Sequence, residues 1–595
     1  MRNPEIVLES LKSHSRTPGY HYERLYRNLY NRAFYLLAYQ QTYPKPGNMS
    51  PGVDGKTIDG MSYKRIENII SSIKDHSYQP KPARRTYIPK KNGKLRPLGV
   101  PASNDKLVQQ VIKMLLESIY EDVFSDNSHG FRPGRSCLTA LSQIKLNFTG
   151  VKWFIEGDIS SYFDTVDHQI LISILRKRIK DEYFISLIWK FLRAGFEENG
   201  QLHKPYKGLH QGSLVSPILA NIYLDELDSY IEVFKKTFDS GQKRKLTREY
   251  IGFQTKEQRL RKTIRATSKK SPQREEMLKN LKVLRSMRRS ILCSDPMDSS
   301  YKRITYQRYA DDFLIGVIGS EQDAKEVKQN IQVFLRNRLH LELSEEKTLI
   351  THGKGKANFL GYDITVGRKG TPSRDKSGKV IDRHHGRIKL YIPQQAWLKK
   401  LTQSGAIRIS HGPDKPETWE PVARKNIMYL PDHEILCIYN REIRGLYQYY
   451  KIADNASVLN DYYYFMKYSL TKTLAGKHKS TTRKIMRKHY VEGRFQVRYP
   501  WKESIKTTFL YDYGFKKQPI IIRRATNKNP TELLKRLSQG QCELCEVTGV
   551  EVSVHHVRKL SELYGVTEWE KKMLDLNRKT LMLCNNCHTR IHWGF

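Results

Sequence analysis

The feature that most constrains this chain is a pair of adjacent acids between two strand-like apolar segments. The tetrapeptide Tyr-Ala-Asp-Asp lies at 309–312, and a third acid, Asp158, ends another strand-like segment upstream. Adjacent carboxylates repel each other and Asp disfavours strands, so a hairpin that carries two acids needs a reason. A divalent cation held on neighbouring strand ends is the reason that we favour. The three acids that would bind it are Asp158, Asp311 and Asp312.

Two Mg²⁺ ions about 3.5–4 Å apart at such a site would activate an attacking 3′-hydroxyl and stabilise the leaving pyrophosphate of a nucleotide. The motif therefore predicts nucleotidyl transfer. The alternative interpretation is an exposed polar hairpin without chemistry, because four-residue motifs recur by chance. The rest of the chain decides between the two.

The charge of the chain indicates a polyanionic partner. Its 595 residues suffice for about three to five domains. Against 61 Asp+Glu stand 104 Lys+Arg, a formal net charge of +43, and 36 Tyr offer stacking surfaces. Such an excess of cations repels itself unless a polyanion neutralises it, so nucleic acid is the expected partner.

An anionic membrane is the competing polyanion. The sequence has no apolar run of about 18 residues and no signal-like apolar core at its N-terminus, so we expect no membrane partner. The expected location is therefore cytoplasmic, as a soluble protein. Cysteine usage agrees with a reducing compartment.

Four of the seven cysteines form two Cys-x-x-Cys pairs about 40 residues apart near the C-terminus. This spacing favours metal over disulfides, and four thiolates make a closed, structural Zn²⁺ site. The predicted ligands are Cys542, Cys545, Cys584 and Cys587.

Histidines accompany these cysteines. Because residues at i and i+4 share one helix face, His588 and His592 can join His555 around Mg²⁺ or another divalent ion. His556 would then remain free to deprotonate water. This is the pattern of a hydrolytic nuclease. The alternative is a zinc ribbon that only grips DNA and has incidental histidines.

Three further segments carry candidate binding residues. Residues 84–90 and 94–99 predict two strands joined at Asn92-Gly93, from which Lys90 and Arg96 project. The glycines and arginines at 129–136, Arg132 and Arg135 among them, suit a phosphate backbone. The small residues from Gln211 to Pro217 allow close approach of a base or phosphate, although a plain helix cap is the alternative.

Two basic regions remain open in function. The sequence of residues 235–303 predicts a charged helical insertion. A solvated face and an RNA clamp are equally good interpretations of its charges. Between 432 and 470 an apolar helical stripe is most simply core, whereas the cations that follow it suit a helical domain lying against RNA.

Together and in this order, these motifs resemble the group II intron-encoded proteins, multifunctional reverse transcriptase/maturases of the longer, endonuclease-bearing kind. The likeness covers nearly the whole chain. The matching blocks lie at 51–55, 88–99, 129–136, 156–164, 211–217, 309–312 and 359–362.

The resemblance implies an α+β right-hand polymerase fold with fingers, a ferredoxin-like palm and a helical thumb, followed by a small zinc-stapled ββα-metal HNH module. The implied domains are an RNA-binding N-terminal extension (1–80), fingers and palm (81–365, with the basic insertion at about 235–303), thumb or domain X with maturase function (366–519), a DNA-binding segment (520–541) and an HNH endonuclease (542–595).

The resemblance also implies roles for single residues. Asp158, Asp311 and Asp312 would bind the catalytic Mg²⁺ ions, and Lys90 and Arg96 would hold the triphosphate of the incoming dNTP. Phe163 would lie under the sugar, where an aromatic wall excludes a 2′-hydroxyl. Gln211 would contact the nascent base pair, Arg132 and Arg135 the template, and His556 the water of the nuclease site.

Two residues depart from the family pattern. Ser213 stands where the family often has a second Gly in the palm loop, a small change that preserves backbone approach. Lys579 stands where HNH nucleases have their asparagine, five residues before the third zinc cysteine, and the nearest asparagine is Asn577. The residue that orients the general base is therefore unassigned.

The implied partners are a group II intron RNA in a lariat ribonucleoprotein, target DNA and dNTPs. The implied function is RNA-directed DNA synthesis from a nicked target, together with assistance to splicing. Two alternatives stay open at this point. One is an RNA-binding splicing cofactor without an active polymerase or nuclease, and the other is a reverse transcriptase that serves another bacterial pathway.

Overall fold

The computed structural model describes residues 2–45, 47–89, 93, 95–291, 293, 295, 298–367, 373–374, 380–382, 386–412, 415–501, 504–519 and 532–593. Lys90, Asn92 and residues 520–531 of the predicted DNA-binding segment lie outside these ranges. Within them, no helix combines the length and apolar character needed to cross a membrane.

The N-terminal region is helical and leads into a two-stranded hairpin. Its elements are α1 (Pro4–Ser13), α2 (Arg32–Thr42), α3 (Tyr63–Lys74), β1 (Ala83–Pro89), β2 (Leu95–Val100), α4 (Ser103–Tyr120) and α5 (Cys137–Asn147). Helix α3 begins where the Ser62 side chain accepts the Arg65 N–H, and its isoleucines share one buried face. Strands β1 and β2 pair antiparallel, as the Asn-Gly signal between them predicts.

The three acids that the sequence predicts to bind metal lie in the next region, which alternates strands and helices. Its elements are β3 (Trp153–Asp158), α6 (Tyr162–Thr165), α7 (His168–Arg176), α8 (Glu182–Arg193), β4 (Phe196–Glu198), β5 (Gln201–His203), α9 (Ser216–Phe238), α10 (Arg248–Ala266), α11 (Pro272–Ser290), β6 (Arg303–Tyr309), β7 (Asp312–Ile318), α12 (Glu321–Leu339) and β8 (Leu349–His352).

Four of these strands form one antiparallel sheet in the order β6-β7-β3-β8. The first two strands in sequence are connected through α9 and the last two through α12. This is the strand order of a βαββαβ unit, with the first and third strands in the middle. Strand β7 is almost wholly buried, so both faces of the sheet are covered.

The basic insertion folds as two helices, α10 and α11, that pack on each other. The side chain of Glu257 is 4% exposed and pairs with Arg261, Arg285 and Arg288. Arg285 and Arg288 come from α11 and so link the two helices through this carboxylate, because a buried charge needs close partners. Most of the other cations of the insertion lie on its exposed faces.

The predicted thumb region combines helices with β-hairpins. Its elements are β9 (Ala357–Phe359), β10 (Tyr362–Val366), β11 (Ser373–Arg374), β12 (Val380–Asp382), β13 (Ile388–Tyr391), α13 (Gln394–Ser404), β14 (Ile407–Gly412), β15 (Lys415–Pro421), α14 (Asp432–Tyr450), α15 (Leu459–Lys477), α16 (Thr482–His489), β16 (Tyr490–Val491), β17 (Arg494–Trp501) and β18 (Ser504–Phe509). The apolar stripe of α14, with Ile435, Tyr439 and Ile443, is buried core, as its spacing predicts.

The C-terminal module contains α17 (Glu532–Gln539), β19 (Val552–His556), α18 (Glu568–Asp575), β20 (Thr580–Cys584) and α19 (Asn585–Trp593). Strands β19 and β20 pair antiparallel and α19 follows directly, which makes a ββα unit. The module packs against the N-terminal region. Leu533, Leu537, Val552, Val554 and Met582 belong to the same buried cluster as Tyr39 of α2.

Candidate active sites

The three predicted acids converge at one end of the four-stranded sheet. Strands β3 and β7 are neighbours, and Asp158 lies directly opposite Asp312 in their register. Asp311 lies in the turn between β6 and β7, whose Ala310 adopts a positive φ of 57°. Antiparallel pairing of these strands therefore places carboxylates that are about 150 residues apart in sequence within one site.

The electrostatics of this site suit a cation. Burial, together with Asp158 and Asp311, raises the pKa of Asp312 to about 7. Burial also raises the pKa of Asp311, a rise that Lys347 and Arg96 oppose. Crowded carboxylates resist ionisation because the charges repel and are poorly solvated. The donor set of three carboxylates therefore fits hard cations such as Mg²⁺.

Lys347 is a residue of this site that the sequence motifs do not reveal. Its Nζ donates to Oδ2 of Asp158 at 2.7 Å, and its side chain is 65% exposed. The lysine lies just before β8, which pairs with β3 on the side away from β7. It brings a mobile positive charge to the acids. Only the sheet order could have indicated it.

The segment at 129–136 braces the turn that carries the acids. The backbone of residues 127–129 pairs with Arg308 of β6. A Cβ on Gly130 would lie 2.3 Å from the backbone nitrogen of Ala310, so only glycine allows this close approach. The glycine of this motif thus supports the catalytic hairpin.

Arg132, which the resemblance assigns to the template, is engaged within its own loop in this structure, and its contact with the template stays a prediction. Its side chain is 2% exposed, and its guanidinium donates to Glu121 and to the carbonyls of Ser125 and Ser128. A guanidinium with these buried partners serves the loop itself. Arg135 differs, because it pairs with the 89% exposed Asp126 and retains some exposure. Its role at the template stays a prediction.

Of the predicted nucleotide-binding residues, Arg96, Phe163 and Gln211 lie in the described part of the chain. The carbonyl of Gln211 accepts the N–H of Gly99 in β2 at 2.7 Å, which holds the palm loop against the hairpin that carries Arg96. Gly212, at a φ of 113°, has the Gly99 carbonyl where a Cβ would stand. Phe163 of α6 is half-buried. Ser213 donates to Gln109, so the departure from glycine adds a hydrogen bond.

A cleft of about 960 Å³ lies between the turn that joins β9 to β10 and helices α13 and α14. Its wall carries both cations and tyrosines, the combination that suits a nucleic-acid strand. The lining includes Lys399, Lys400, Arg441, Tyr449 and Tyr450.

The four cysteines of the C-terminal module form one cluster. Their sulfurs lie within 4.8 Å of one another, and Cys545 Sγ is 3.8 Å from Cys584 Sγ. Four sulfurs at 2.3 Å from a tetrahedral ion would be about 3.8 Å apart, so the cluster fits Zn²⁺. Burial raises the pKa of Cys542, but backbone N–H groups outweigh it and lower that pKa to about 7. Such donors favour the thiolate.

The three predicted nuclease ligands also converge, and a fourth residue joins them. His555 is the next-to-last residue of β19, His588 and His592 lie on α19, and the carboxylate of Asp59 from the N-terminal region lies among them. All four ligand atoms lie within 4.8 Å of one another. Burial alone would raise the pKa of Asp59, but the imidazoles of His555 and His588 outweigh it and lower that pKa.

His556 is not free in this structure, contrary to our expectation from sequence. Its Nε2 lies 2.5 Å from the hydroxyl of Tyr39, and the residue is 5% exposed. Burial lowers the pKa of its imidazole to about 4. Successive side chains of a strand point to opposite faces, so His556 turns away from the face that holds His555. Its role as general base stays a prediction.

Lys579 occupies the position where the family pattern has an asparagine. Its carbonyl accepts the N–H of Val557, and its Nζ lies 3.5 Å from the carbonyl of Arg558. Asn577, two residues earlier, ends α18 in a left-handed conformation with a φ of 49°. A cation therefore stands near the start of the loop that follows His556.

Comparison with known proteins decides the family. The group II intron-encoded protein LtrA of Lactococcus lactis subsp. cremoris is 41% identical over 582 residues, which cover 96% of this chain and 96% of LtrA. This chain belongs to the group II intron-encoded proteins. Protein YkfC of Escherichia coli is 35% identical over 357 residues, which cover 58% of this chain and 84% of YkfC.

Three family models match successive parts of this group II intron-encoded protein. Residues 88–364 match the reverse transcriptase (RNA-dependent DNA polymerase), 385–529 the type II intron maturase and 542–588 the AI2M/AI1M-like HNH endonuclease. The chain therefore combines a reverse transcriptase, a maturase and an HNH endonuclease domain, and it is an RNA-directed DNA polymerase. The predicted domain boundaries beyond these matches stay predictions.

Among solved structures, the apo telomerase of Candida tropicalis aligns with a TM-score of 0.30 at 15% identity, over 50% of this chain and 57% of that one. This likeness is too low to carry an argument. The case for the reverse transcriptase domain rests on the family match and on the acids of the β6-β7-β3-β8 sheet.

Proposed function

We propose that this group II intron-encoded protein binds its intron RNA, assists its splicing, nicks a DNA target and copies the RNA into cDNA from the exposed 3′-hydroxyl. The observation that carries the proposal is the convergence of Asp158, Asp311 and Asp312 on adjacent strands of the reverse transcriptase domain. An idle splicing cofactor has no need for three crowded carboxylates, whose repulsion costs stability without an ion.

In the polymerase site the chain positions the reactants. Two Mg²⁺ ions, when bound, would activate the primer hydroxyl and stabilise the leaving pyrophosphate. Arg96, together with Lys90, would hold the triphosphate of the dNTP, and Gln211 would support the nascent pair. Phe163 would exclude the 2′-hydroxyl, because an aromatic ring gives that group neither space nor a hydrogen bond.

The RNA would lie along the thumb region of the right-hand polymerase fold. Helix α16 turns Ile485 inward and presents Arg483, Lys484, Arg487 and Lys488 to solvent. Four exposed cations within two turns suit a phosphate backbone, and the cleft beside α13 and α14 carries further cations. We assign both surfaces to the intron RNA and to the RNA–cDNA product.

The HNH module would supply the primer by nicking target DNA in the nucleoid or in an organelle. His555, His588 and His592 would hold the divalent ion, which would polarise the scissile phosphate when bound. The cysteine cluster would hold a structural Zn²⁺ that ties β20 and α19 to the start of the module.

The zinc assignment predicts a metal content. Wild-type protein should contain one tightly bound Zn²⁺, and Cys542→Ala or Cys587→Ala should lose it, because a structural site needs its fourth thiolate. The measurement is elemental analysis after gel filtration in the presence of excess Mg²⁺. Cys437→Ala, which removes a cysteine outside the cluster, is the matched control and should retain zinc. Equal zinc in all variants would contradict the assignment.

The function as a whole is tested by the RNA that co-purifies with the protein from its native cell. The purification uses salt high enough to weaken nonspecific phosphate contacts. One dominant structured lariat RNA should then remain bound to the protein, because specific binding survives the loss of counterion release. Sequencing of that RNA is the measurement. A mixture that mirrors the transcriptome would contradict the intron-specific function and would leave a general reverse transcriptase.

A further inference from the structure

The nuclease module is docked on the N-terminal region by backbone pairing. The N–H of Gly60 donates to the carbonyl of Val554 at 3.0 Å, and the N–H of Val554 donates to the carbonyl of Met61 at 2.9 Å. This pairing extends the edge of β19 with a segment from the opposite end of the chain. Apolar side chains of both parts complete the contact in one buried cluster.

The docking delivers one carboxylate to the three histidines. Oδ2 of Asp59 lies 2.8 Å from Nε2 of His592 and 3.3 Å from Nε2 of His588, and Oδ1 lies 3.4 Å from Nδ1 of His555. Ligands at 2.0–2.1 Å from a tetrahedral ion are about 3.4 Å apart, so these separations fit a single cation.

The loop around Asp59 is held in place for this contact. Arg65 of α3 donates to the Asp59 carbonyl at 2.8 Å, and Oδ1 of Asp59 accepts the backbone N–H of His556 at 2.7 Å. Gly60 has a φ of 70°, and a Cβ there would lie 3.5 Å from the His588 ring. The carboxylate is thus fixed by both partners and its side chain is only 14% exposed.

The histidines themselves indicate that a ligand is expected. His555 is 4% exposed, and in the described chain its Nε2 has no hydrogen-bond partner, while its Nδ1 makes no hydrogen bond beyond the 3.4 Å ion-pair contact with Asp59. Nε2 of His588 likewise makes no hydrogen bond beyond its 3.3 Å ion-pair contact with Asp59. Buried imidazole nitrogens without partners are costly, and four donors that converge on one point are relieved by a cation.

We propose that Asp59 of the N-terminal extension is a ligand of the nuclease ion, so that the first and the last domains of the chain share one metal site. The proposal rests on the proposed nuclease site, to which it adds a ligand from outside the HNH module. It has two consequences. Ion binding stabilises the docked arrangement, and docking raises the affinity for the ion, because the two equilibria are linked.

The test is a titration of full-length, zinc-loaded protein with Co²⁺ in excess Mg²⁺, followed by visible absorption. Mg²⁺ occupies the carboxylate-only sites, and thiolate-to-cobalt bands would reveal any exchange at the cysteines. Asp59→Asn keeps the shape and removes the charge. We expect the affinity for Co²⁺ to fall at least about 10- to 100-fold. Loss of a residue that hydrogen-bonds to a metal ligand has an effect of this size, and loss of a direct ligand should have at least the same effect.

Asp54→Asn is the matched control, because Asp54 lies in the same segment and pairs with Lys81. It should bind Co²⁺ like wild type. His588→Ala tests the parent site and should abolish the absorption. Retained binding in His588→Ala would overturn the nuclease site itself. Loss in His588→Ala with wild-type affinity in Asp59→Asn would overturn only the role of Asp59.

Hydrogen exchange provides a second readout. The metal-dependent part of the exchange rate would not respond to a change in charge alone. Co²⁺ should slow exchange of the Val554 amide, which bonds to Met61, at least tenfold in wild-type protein. Asp59→Asn should lose this metal-dependent protection, whereas its thermal unfolding without metal reports whether the variant folds. Equal metal-dependent protection in both proteins would contradict a shared site.

Discussion

Asp311→Asn and Asp312→Asn should each lower primer extension on an RNA template on the order of 10³-fold, because each removes a charged ligand from the proposed Mg²⁺ site. Metal stabilisation of the transition state is worth several kcal/mol, and each 1.36 kcal/mol is a factor of ten in rate. Asparagine preserves the volume and the hairpin, so the loss reports charge and ligation.

Single-turnover extension with dTTP on a poly(rA) template is the measurement, since it separates chemistry from product release. Asp122→Asn is the control, because this acid lies outside the sheet and pairs loosely with Lys12 at 3.8 Å. It should extend primers like wild type. Extension by the two site variants within tenfold of wild type would refute the assignment of the acids.

The palm acids could be predicted from sequence because their signal is local. Asp158 ends one strand-like apolar run, and Asp311 and Asp312 lie between two others, so the sequence places each acid at a strand end. The register that places Asp158 opposite Asp312 follows once β3 and β7 are neighbours. The cysteine pairs and the i, i+4 histidines are local for the same reason: their spacing contains the geometry.

The residues that sequence reasoning missed are brought in by tertiary structure. Asp59 lies almost 500 residues before His555 and has no motif around it that distinguishes it from a loop acid. Lys347 reaches Asp158 only because β8 lies next to β3. Neither contact has a periodicity or a spacing that a single sequence can display.

The buried partners of Arg132 and His556 were not foreseen from sequence for a different reason. An arginine in a glycine-rich loop can bind a phosphate or can donate to buried backbone carbonyls of its own loop. The sequence fits both, and only the burial of the side chain in the structure distinguishes them. For His556 a signal did exist. Neighbouring residues of a strand point to opposite faces of the sheet. If His555 faces the metal, His556 must therefore face the other side as long as both residues lie in the strand.

The second large effect that we expect concerns Arg308, the residue before the catalytic tetrapeptide. Its side chain is 0% exposed and pairs with the 1% exposed Asp228 of α9. Asp228→Leu leaves an uncompensated buried guanidinium, which should lower the stability of the sheet by about 3–5 kcal/mol. Native-state hydrogen exchange of amides in β3, β6 and β7 measures this change in the domain concerned.

Two comparisons make the cause identifiable. The double variant Asp228→Leu with Arg308→Met should regain most of the lost stability, because replacing both members of a buried pair by apolar groups is often neutral. Asp122→Ala, which breaks an exposed pair, should cost less than about 1 kcal/mol. If the double variant were as unstable as the single one, loss of packing rather than an unpaired charge would be the cause.

Stability and activity should then separate in the double variant. Arg308 also donates to the carbonyl of Ala310 at 3.0 Å and thereby holds the turn between the strands that present Asp311 and Asp312. Methionine cannot replace that bond, so the carbonyl loses its buried donor. We expect the double variant to remain folded, with most of the stability regained, and still to extend primers about tenfold more slowly, because a charged hydrogen bond of about 1.5 kcal/mol no longer positions the acids. Wild-type extension rates in a stable double variant would show that Arg308 stabilises the sheet without positioning the site.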